Sequence, residues 1–257
     1  MSLLQALILG IVQGLTEFLP VSSSGHLVIF PAIFGWNEQP LVFDTTLHLG
    51  TVLALVIYFR KDIVRMLVKD KDLGLKILLG SIPAGVLGLL FNSFIETHLR
   101  NVFSVIIFLS AGSLLMLLAE HKFRAPLKGT ITYRKSFKIG VFQALALLPG
   151  MSRSAASISG GMLNNLRHVD AARFSFLLSI PIVLAAGVYK LIQSVQAGYV
   201  FGGTLFVGFI ASFLFGLLAI DFFMNFLKKN RLFIFIAYRL FLVSVLIFFV
   251  ALKAKVS

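Results

Sequence analysis

An acid, three consecutive hydroxyl groups and an imidazole lie close together near the start of the chain. The segment is Glu17-Phe-Leu-Pro-Val-Ser-Ser-Ser-Gly-His26, and Gln13 precedes its acid by one helical turn. A serine is a weak nucleophile until a neighbouring base accepts its proton. Carboxylates and imidazoles can both do this, and hydroxyl groups can bind phosphate oxygens. The segment therefore indicates phosphoryl-transfer chemistry, in which Ser23 attacks and Glu17 or His26 handles protons.

A second polar segment, Gln143-Ala-Leu-Ala-Leu-Leu-Pro-Gly-Met-Ser-Arg-Ser154, repeats the first at a displacement of 130 positions. The matching pairs are Gly10 and Gly140, Gln13 and Gln143, Leu15 and Leu145, Ser22 and Ser152, and Ser24 and Ser154. The second motif supplies Arg153, whose planar fork matches phosphate oxygens. We therefore expect the two motifs to meet and form one anion site. Two versions of the chemistry stay open: Ser23 as nucleophile, or His26 as nucleophile with Glu17 orienting it.

The composition places these motifs in a membrane protein. Hydrophobic residues make up 58% of the 257 residues, charged residues make up 13%, and 27 residues are Phe. The net charge is +13, and the basic residues lie at the ends of apolar runs. This distribution favours membrane orientation and anionic lipid over nucleic acid as its cause. Cysteine is absent, which excludes disulfides and thiol chemistry, and the N-terminal apolar stretch has no basic n-region, so we expect no cleavable signal peptide.

Each polar motif interrupts apolar segments that are too short to cross a bilayer. A hydrocarbon core of about 30 Å needs about 20 helical residues. Segments 1–19 and 27–34 lie around the first motif. Segment 139–148 precedes the second motif, and a second short helix follows its Ser/Arg run and reaches about residue 166. Both pairs therefore predict re-entrant helical hairpins buried in protein. Longer apolar runs predict six full transmembrane helices, at 43–59, 77–94, 102–119, 174–192, 205–227 and 232–252.

The predicted fold is an all-α polytopic membrane protein with an inverted-topology repeat. Basic residues predominate in the loops at 60–76 and 120–138, which predicts that both are cytoplasmic. Each half, about 1–120 and 138–257, then has one hairpin and three spans, so the halves have opposite orientations, as in secondary transporters. Residues 1–257 would form a single integral membrane domain. Ionisable groups near the midplane are energetically costly, so Glu17, His26 and Arg153 are functional candidates.

On these two motifs the chain resembles the undecaprenyl-pyrophosphate phosphatases of the bacitracin-resistance type, and the resemblance covers essentially the whole chain. It implies a bacterial inner-membrane enzyme that removes the terminal phosphate of C55 polyprenyl pyrophosphate at a site open to the periplasmic face. This reaction would recycle the carrier lipid of peptidoglycan synthesis and confer bacitracin resistance. The implied catalytic residues are Glu17, Ser23, His26 and Arg153, and the implied phosphate-binding residues are Gln13, Ser22, Ser24, Ser152, Ser154 and Ser157.

The chain departs from the family pattern at a few positions of the motifs. Gln13 stands where the family often has Glu, and Ser24 stands where Thr is common. Ala155 and Ser157 replace a common Gly and Thr, and each keeps a small side chain or a hydroxyl. Because position 13 is Gln, Glu17 is the one carboxylate in the motifs that could bind a divalent cation such as Mg²⁺ or Ca²⁺. One carboxylate is few ligands for such an ion.

Other interpretations of these residues also have to be weighed. A polyprenyl-phosphate flippase or another secondary transporter would also use an inverted repeat with a polar site. A carrier, however, has no need of a nucleophile beside a base. The serines can simply cap helices, and Asp44, His48, Asp221 and Arg239 are predicted to form structural pairs or line a cavity. The predicted partners are the polyprenyl pyrophosphate lipid and the bilayer, with a homodimer left open.

Overall fold

In a computed structural model of the chain, all the regular structure that is described is helical. The described residues are 1–37, 39–99, 101–123, 130–199 and 202–256. Part of the basic loop predicted at 120–138 lies outside these ranges. The all-α prediction is confirmed for the part of the chain that the structure describes.

Each half of the chain begins with a pair of short helices around one motif, and longer helices follow. The first half forms α1 (Leu3–Phe18), α2 (Ser23–Phe34), α3 (Leu41–Tyr58), α4 (Arg60–Val68), α5 (Lys71–Phe94) and α6 (Val102–Lys122). The second half forms α7 (Tyr133–Ala144), α8 (Arg153–Leu163), α9 (His168–Gln196), α10 (Gly203–Phe226) and α11 (Phe233–Val256). A π-helical turn, Ile95–Leu99, follows α5, and a 3-10 turn, Leu145–Leu147, follows α7.

Within the described residues, six helices are long and apolar enough to cross a membrane: α3, α5, α6, α9, α10 and α11. They correspond one to one with the six predicted spans, and the chain is a multi-pass membrane protein. Helix α1 is apolar but shorter. Its partner α2 and the second pair, α7 and α8, are shorter still. Each pair of short helices flanks one polar motif.

Several helix boundaries differ from the sequence-based ones. The segment 60–76 was predicted as a loop, which is wrong: it contains α4, and α5 begins at Lys71. Helix α9 begins at His168, six residues before the predicted start at 174, and α8 ends at Leu163. Hydropathy marks where the apolar residues stop, but helical hydrogen bonding continues into the charged residues beyond. There the side chain of Asp70 accepts a hydrogen bond from Leu73 N at 3.1 Å and caps α5.

The helices that carry the motifs pack against the opposite half of the chain. Helix α1 packs chiefly on α10, and α7 packs chiefly on α5. Gly10 of α1 lies against Gly208, and Gly140 of α7 lies against Gly80, so close that neither could carry a side chain without displacing backbone atoms. Small residues permit such close approach between membrane helices. Each motif is therefore positioned by helices from both halves.

One end of the helix bundle collects many of the charged residues, and we call it the charged end. Arg173 at the start of α9 pairs with Asp62 of α4. Glu120 of α6 accepts a hydrogen bond from the backbone N–H of Leu232 at 2.7 Å and lies 2.8 Å from His168 Nε2. These contacts bring together the end of α6, helix α4 and the starts of α9 and α11. Helices of both halves are thus tied at the same end.

Replacing Gly140 by alanine tests the close contact between α7 and α5. The added methyl group would overlap the carbonyl oxygen of Gly80, and overpacking of this kind destabilises by about 1–3 kcal/mol. We expect Gly140→Ala to lower the thermal unfolding midpoint in detergent. Gly88→Ala in α5 is the matched control, because its methyl group would make an ordinary contact of 3.7 Å with Leu147. Equal midpoints for the two variants would contradict this packing.

Candidate active site

The first motif forms a sharp break between α1 and α2. Glu17 lies in the last turn of α1, and Pro20 precedes a backbone that turns at Ser22. Ser22 has a φ of 73°, and its side chain accepts a hydrogen bond from Gly25 N at 3.3 Å. The predicted start of a new helix beside the hydroxyl run is confirmed, and Ser22 is its N-cap.

The second motif repeats the same local conformation. Ser152 has a φ of 71°, caps α8 and accepts a hydrogen bond from Ala155 N at 3.3 Å. Its hydroxyl lies 3.1 Å from that of Ser154, as the hydroxyl of Ser22 lies 3.4 Å from that of Ser24. A positive φ is unfavourable for a residue other than glycine. The same strained conformation at matching positions makes the two breaks local copies of each other.

Glu17 connects the two motifs through its carboxylate. Ser23 Oγ donates to Glu17 Oε2 at 2.7 Å, and Gln13 Nε2 donates to the same oxygen at 2.9 Å. From the second motif, Arg153 Nη2 donates to Glu17 Oε1 at 2.7 Å. The side chains of both charged residues are largely buried, where an ion pair with hydrogen bonds is strong. The structure therefore brings together Gln13, Glu17, Ser23 and Arg153.

The imidazole of His26 is directed away from this carboxylate. His26 Nδ1 lies 2.7 Å from the carbonyl oxygen of Ser22, and Nε2 lies 2.7 Å from the hydroxyl of Tyr238. A carbonyl only accepts, so Nδ1 carries the proton and Nε2 accepts from Tyr238. Both ring nitrogens are thus engaged, and neither contacts Ser23 or Glu17. His26 holds the backbone of the first break and is buried, with 4% of its surface exposed.

The serines named by sequence divide into two groups. Ser23, Ser24 and Ser152 line a cavity beside Glu17 and Arg153. Ser154 donates instead to the carbonyl of Leu19 at 3.1 Å, and Ser157 donates to the carbonyl of Arg153 at 2.6 Å. Ser154 thereby joins the second break to the first. The second group consists of Ser22, Ser154 and Ser157, which bind the backbone of the two breaks.

The cavity has a volume of about 380 Å³ and lies between the two breaks and the helices α3, α5 and α9. This volume falls in the range of small-ligand sites. Its polar lining residues are Glu17, Ser23, Ser24, Asp44, Thr45, His48, Gln143, Ser152, Arg153 and Lys190. The rest of the wall is largely apolar and includes Leu27, Val28, Ile182 and Val183. Such a site can hold a polar head group next to a hydrocarbon chain.

Some residues of the site were not identified as functional from the sequence. His48 Nδ1 lies 2.9 Å from Gln13 Nε2 and 3.4 Å from Glu17 Oε2, so this imidazole belongs to the carboxylate network. His48 and Asp44 line the cavity, as the sequence allowed.

Asp221 forms a structural contact with Tyr58 at 3.3 Å. Tyr238 had no sequence signal, because it lies in an apolar helix remote from either motif.

Arg239 holds both breaks through one fully buried guanidinium group. Its exposed fraction is 0%. Nη1 donates to the carbonyl of Pro20 at 3.3 Å in the first break. Nη2 donates to the carbonyls of Gly150 at 3.2 Å and Met151 at 3.1 Å in the second break. Further donations to Leu109 O and Ser113 Oγ fix it against α6. The prediction of a structural role for Arg239 agrees with these contacts.

The donor set does not form a metal centre made by the protein alone. Both oxygens of Glu17 already accept hydrogen bonds, and Glu17 is the carboxylate that the sequence offered as a ligand. Within the described residues no group of three or more His, Asp or Glu side chains is arranged to hold a metal ion. Mg²⁺ in phosphate sites is commonly bound by one or two carboxylates together with the substrate.

Comparison with known proteins identifies relatives over nearly the whole length. A family model described as bacitracin resistance protein BacA matches residues 6–245. The chain is 44% identical to an undecaprenyl-diphosphatase of Chlorobaculum tepidum, covering 94% of this chain and 95% of the relative. It is 41% identical to an undecaprenyl-diphosphatase of Thermodesulfovibrio yellowstonii, covering 95% and 96% of the two chains. It is 40% identical to one of Caldicellulosiruptor bescii, covering 99% and 100%.

Replacing Arg239 by lysine tests whether its fork holds the two breaks. Lysine keeps the charge but cannot reach carbonyls in several directions at once, and each buried acceptor left without a donor costs about 1–3 kcal/mol. We expect Arg239→Lys to lower the thermal unfolding midpoint strongly. Arg60→Lys is the control, because Arg60 also donates to a carbonyl, that of Ile57, but at an exposed position. A wild-type midpoint for Arg239→Lys would show that the breaks are held by other contacts.

Proposed function

Because the chain belongs to the bacitracin resistance protein BacA family, we propose that it hydrolyses undecaprenyl diphosphate to undecaprenyl phosphate and inorganic phosphate. The relatives named above carry the name undecaprenyl-diphosphatase. Undecaprenyl phosphate is the carrier lipid of peptidoglycan synthesis, and its recycling confers bacitracin resistance. The enzyme is a membrane hydrolase with a lipid substrate.

One contact carries this proposal: the hydrogen bond of 2.7 Å from Ser23 Oγ to Glu17 Oε2 at the wall of the cavity. A hydroxyl that donates to a carboxylate is arranged to lose its proton to that carboxylate. Arg153 lies on the other oxygen of Glu17 and lines the same cavity. A transporter would require groups that bind a head group, but it would not require a nucleophile hydrogen-bonded to a base.

In the first step Ser23 Oγ attacks the terminal phosphorus atom while Glu17 accepts the hydroxyl proton. The bond between that phosphorus and the bridging oxygen breaks, and undecaprenyl phosphate leaves with the bridging oxygen. The free N–H groups at the start of α2 stabilise the charge on the transferred phosphoryl oxygens. Arg153 and the N–H groups at the start of α8 stabilise the negative charge that develops on the leaving phosphate. Each of these groups is fixed before the reaction, so little reorganisation is needed.

In the second step water hydrolyses the phosphoserine. Glu17 releases its first proton to the leaving undecaprenyl phosphate or to solvent and then accepts a proton from the attacking water. The bond between phosphorus and Ser23 Oγ breaks, and Glu17 returns this proton to Ser23 Oγ. The products are inorganic phosphate and free Ser23. The contacts of His26 favour a positioning role in this scheme, because its ring nitrogens are engaged with Ser22 and Tyr238. His26 as the nucleophile, the second version allowed by the sequence, has less support, since Glu17 does not contact it.

We also propose that the chain forms a single domain in the bacterial inner membrane, with the predicted inverted repeat. Its support is that α7 begins at the charged end, where Tyr133 donates to Asp72 at 2.7 Å. By contrast, Leu3 of α1 lies beside Gly203 at the start of α10. The two hairpins would therefore enter from opposite faces, with the charged end in the cytoplasm. The substrate site would open to the outer face, and the apolar wall would receive the lipid chain.

Phosphate release from undecaprenyl diphosphate in detergent tests the catalytic assignment. We expect Ser23→Ala, Glu17→Gln and Arg153→Lys each to lower kcat/KM about 100-fold or more, as for the loss of a base or an oxyanion donor. Asp221→Asn is the control, since Asp221 lies outside the cavity and contacts Tyr58. Unchanged activity in the Glu17 and Ser23 variants would exclude this mechanism.

The nucleophile is identified by the chemistry of the trapped phosphoenzyme. After brief reaction with substrate labelled in the terminal phosphate, we expect an acid-stable phosphoserine, whereas a phosphohistidine would be acid-labile. Ser23→Ala should remove the label. His26→Ala should keep an acid-stable label but accumulate it slowly, because it loosens the first break without removing the nucleophile. An acid-labile label that requires His26 would reverse the assignment.

A further inference from the structure

Two polar groups of the second motif have no hydrogen-bond partner among the described residues although they lie in the cavity wall. Gln143 is 2% exposed, and both its Nε2 and its Oε1 are without a partner. Arg153 Nη1 is also without a partner, while Nη2 donates to Glu17 at 2.7 Å. Buried polar groups are nearly always hydrogen-bonded, and leaving one unpaired is destabilising. A ligand bound in the cavity would supply hydrogen-bond partners for these three atoms.

The side-chain amide of Gln143 makes no hydrogen bond to any of the described residues. Its counterpart in the first motif, Gln13, donates to Glu17 at 2.9 Å and contacts His48. Gln143 faces no carboxylate in the corresponding place, because the second motif carries no acid. A buried amide that has no hydrogen-bond partner among the described residues and lines the ligand cavity is suited to bind a ligand oxygen through Nε2.

We propose that Gln143 and Arg153 Nη1 form the subsite for the second phosphate of the diphosphate, the one that stays on the lipid. This inference rests on the proposed function. The substrate has two phosphates, and the cavity is lined by two related motifs. The first motif contains the nucleophile and the base, Ser23 and Glu17, so the phosphate that is transferred lies there. The second motif contributes donors without a base.

The position of Arg153 supports this division. One of its terminal nitrogens is bound to the carboxylate that activates Ser23, and the other has no hydrogen-bond partner in the part of the chain that the structure describes. A guanidinium fixed in this way can donate to an oxygen of the bound diphosphate without giving up its ion pair with Glu17. Gln143 then supplies the neutral donor. Leu147 and Pro149 of the same motif line the cavity as well, so the second phosphate would lie near apolar wall where its lipid chain begins.

The test compares Gln143→Leu with wild type in two measurements. The first is inhibition of phosphate release by inorganic pyrophosphate and, separately, by inorganic phosphate. We expect Gln143→Leu to raise KM for the lipid and Ki for pyrophosphate about 10-fold, as for the loss of a hydrogen bond to a charged group. The Ki for inorganic phosphate should stay unchanged, because a single phosphate binds at the first motif.

The second measurement separates binding from folding. Because no described residue forms a hydrogen bond with the Gln143 side chain, Gln143→Leu should leave the thermal unfolding midpoint equal to or above that of wild type. Pyrophosphate should raise the midpoint less than it does for wild type. Ser159→Ala is the matched control: Ser159 Oγ is also buried and without a partner among the described residues, but it is outside the cavity lining. Its KM and both Ki values should equal those of wild type.

The outcomes distinguish this inference from the proposed function. If wild type releases no phosphate from undecaprenyl diphosphate, the proposed function fails first. If wild type is active and Gln143→Leu has wild-type KM and pyrophosphate Ki, the subsite is wrong and the function stands. A lowered unfolding midpoint with unchanged pyrophosphate affinity would assign Gln143 to structure. Equal weakening of pyrophosphate and phosphate would place Gln143 at the transferred phosphate and overturn the assignment.

Discussion

The guanidinium of Arg239 is the interaction on which the geometry of this protein depends. It is fully buried in α11 and binds carbonyls of both breaks, Pro20 in the first and Gly150 and Met151 in the second. A guanidinium offers five N–H donors in a rigid plane, so it can fix several acceptors at defined angles. Two loops distant in sequence are thereby held at a constant separation. The ion pair between Glu17 and Arg153 forms across that separation.

The same constraint explains why both breaks can keep an unfavourable backbone. Ser22 and Ser152 have φ values of 73° and 71°, and such conformations persist only where surrounding contacts over-determine them. Here the surrounding contacts are the carbonyl bonds of Arg239 and the side chains of His26 and Ser154. The result is two helix starts with donors fixed in advance, which is the arrangement that electrostatic catalysis requires.

The sequence predicted the six spans and the meeting of the two motifs, but it did not predict which side chains contact Glu17 or the direction of each side chain. Hydropathy located six spans because apolar length is set by the bilayer, and it misplaced their charged ends because helices continue past the apolar boundary. The repeated motifs predicted one shared site, and in the structure Arg153 of the second motif donates to Glu17 of the first. The direction of His26 depends on the carbonyl of Ser22 and on Tyr238, which lies in α11. No spacing within the motif encodes a partner so remote along the chain.

The hydrogen bonds of Glu17 affect how readily its carboxylate accepts a proton, and a bound substrate would change this. A carboxylate bound by Arg153, Gln13 and Ser23 is well stabilised as an anion and is thus a reluctant base. In the proposed mechanism, a bound diphosphate brings negative charge to the same wall of the cavity. This charge also interacts with the guanidinium of Arg153, so Arg153 stabilises the Glu17 anion less strongly while the substrate is bound. In the proposed mechanism, protonation of Glu17 then becomes more favourable when Ser23 attacks the phosphorus atom. In the proposed mechanism, binding of the diphosphate therefore makes Glu17 a stronger base toward Ser23.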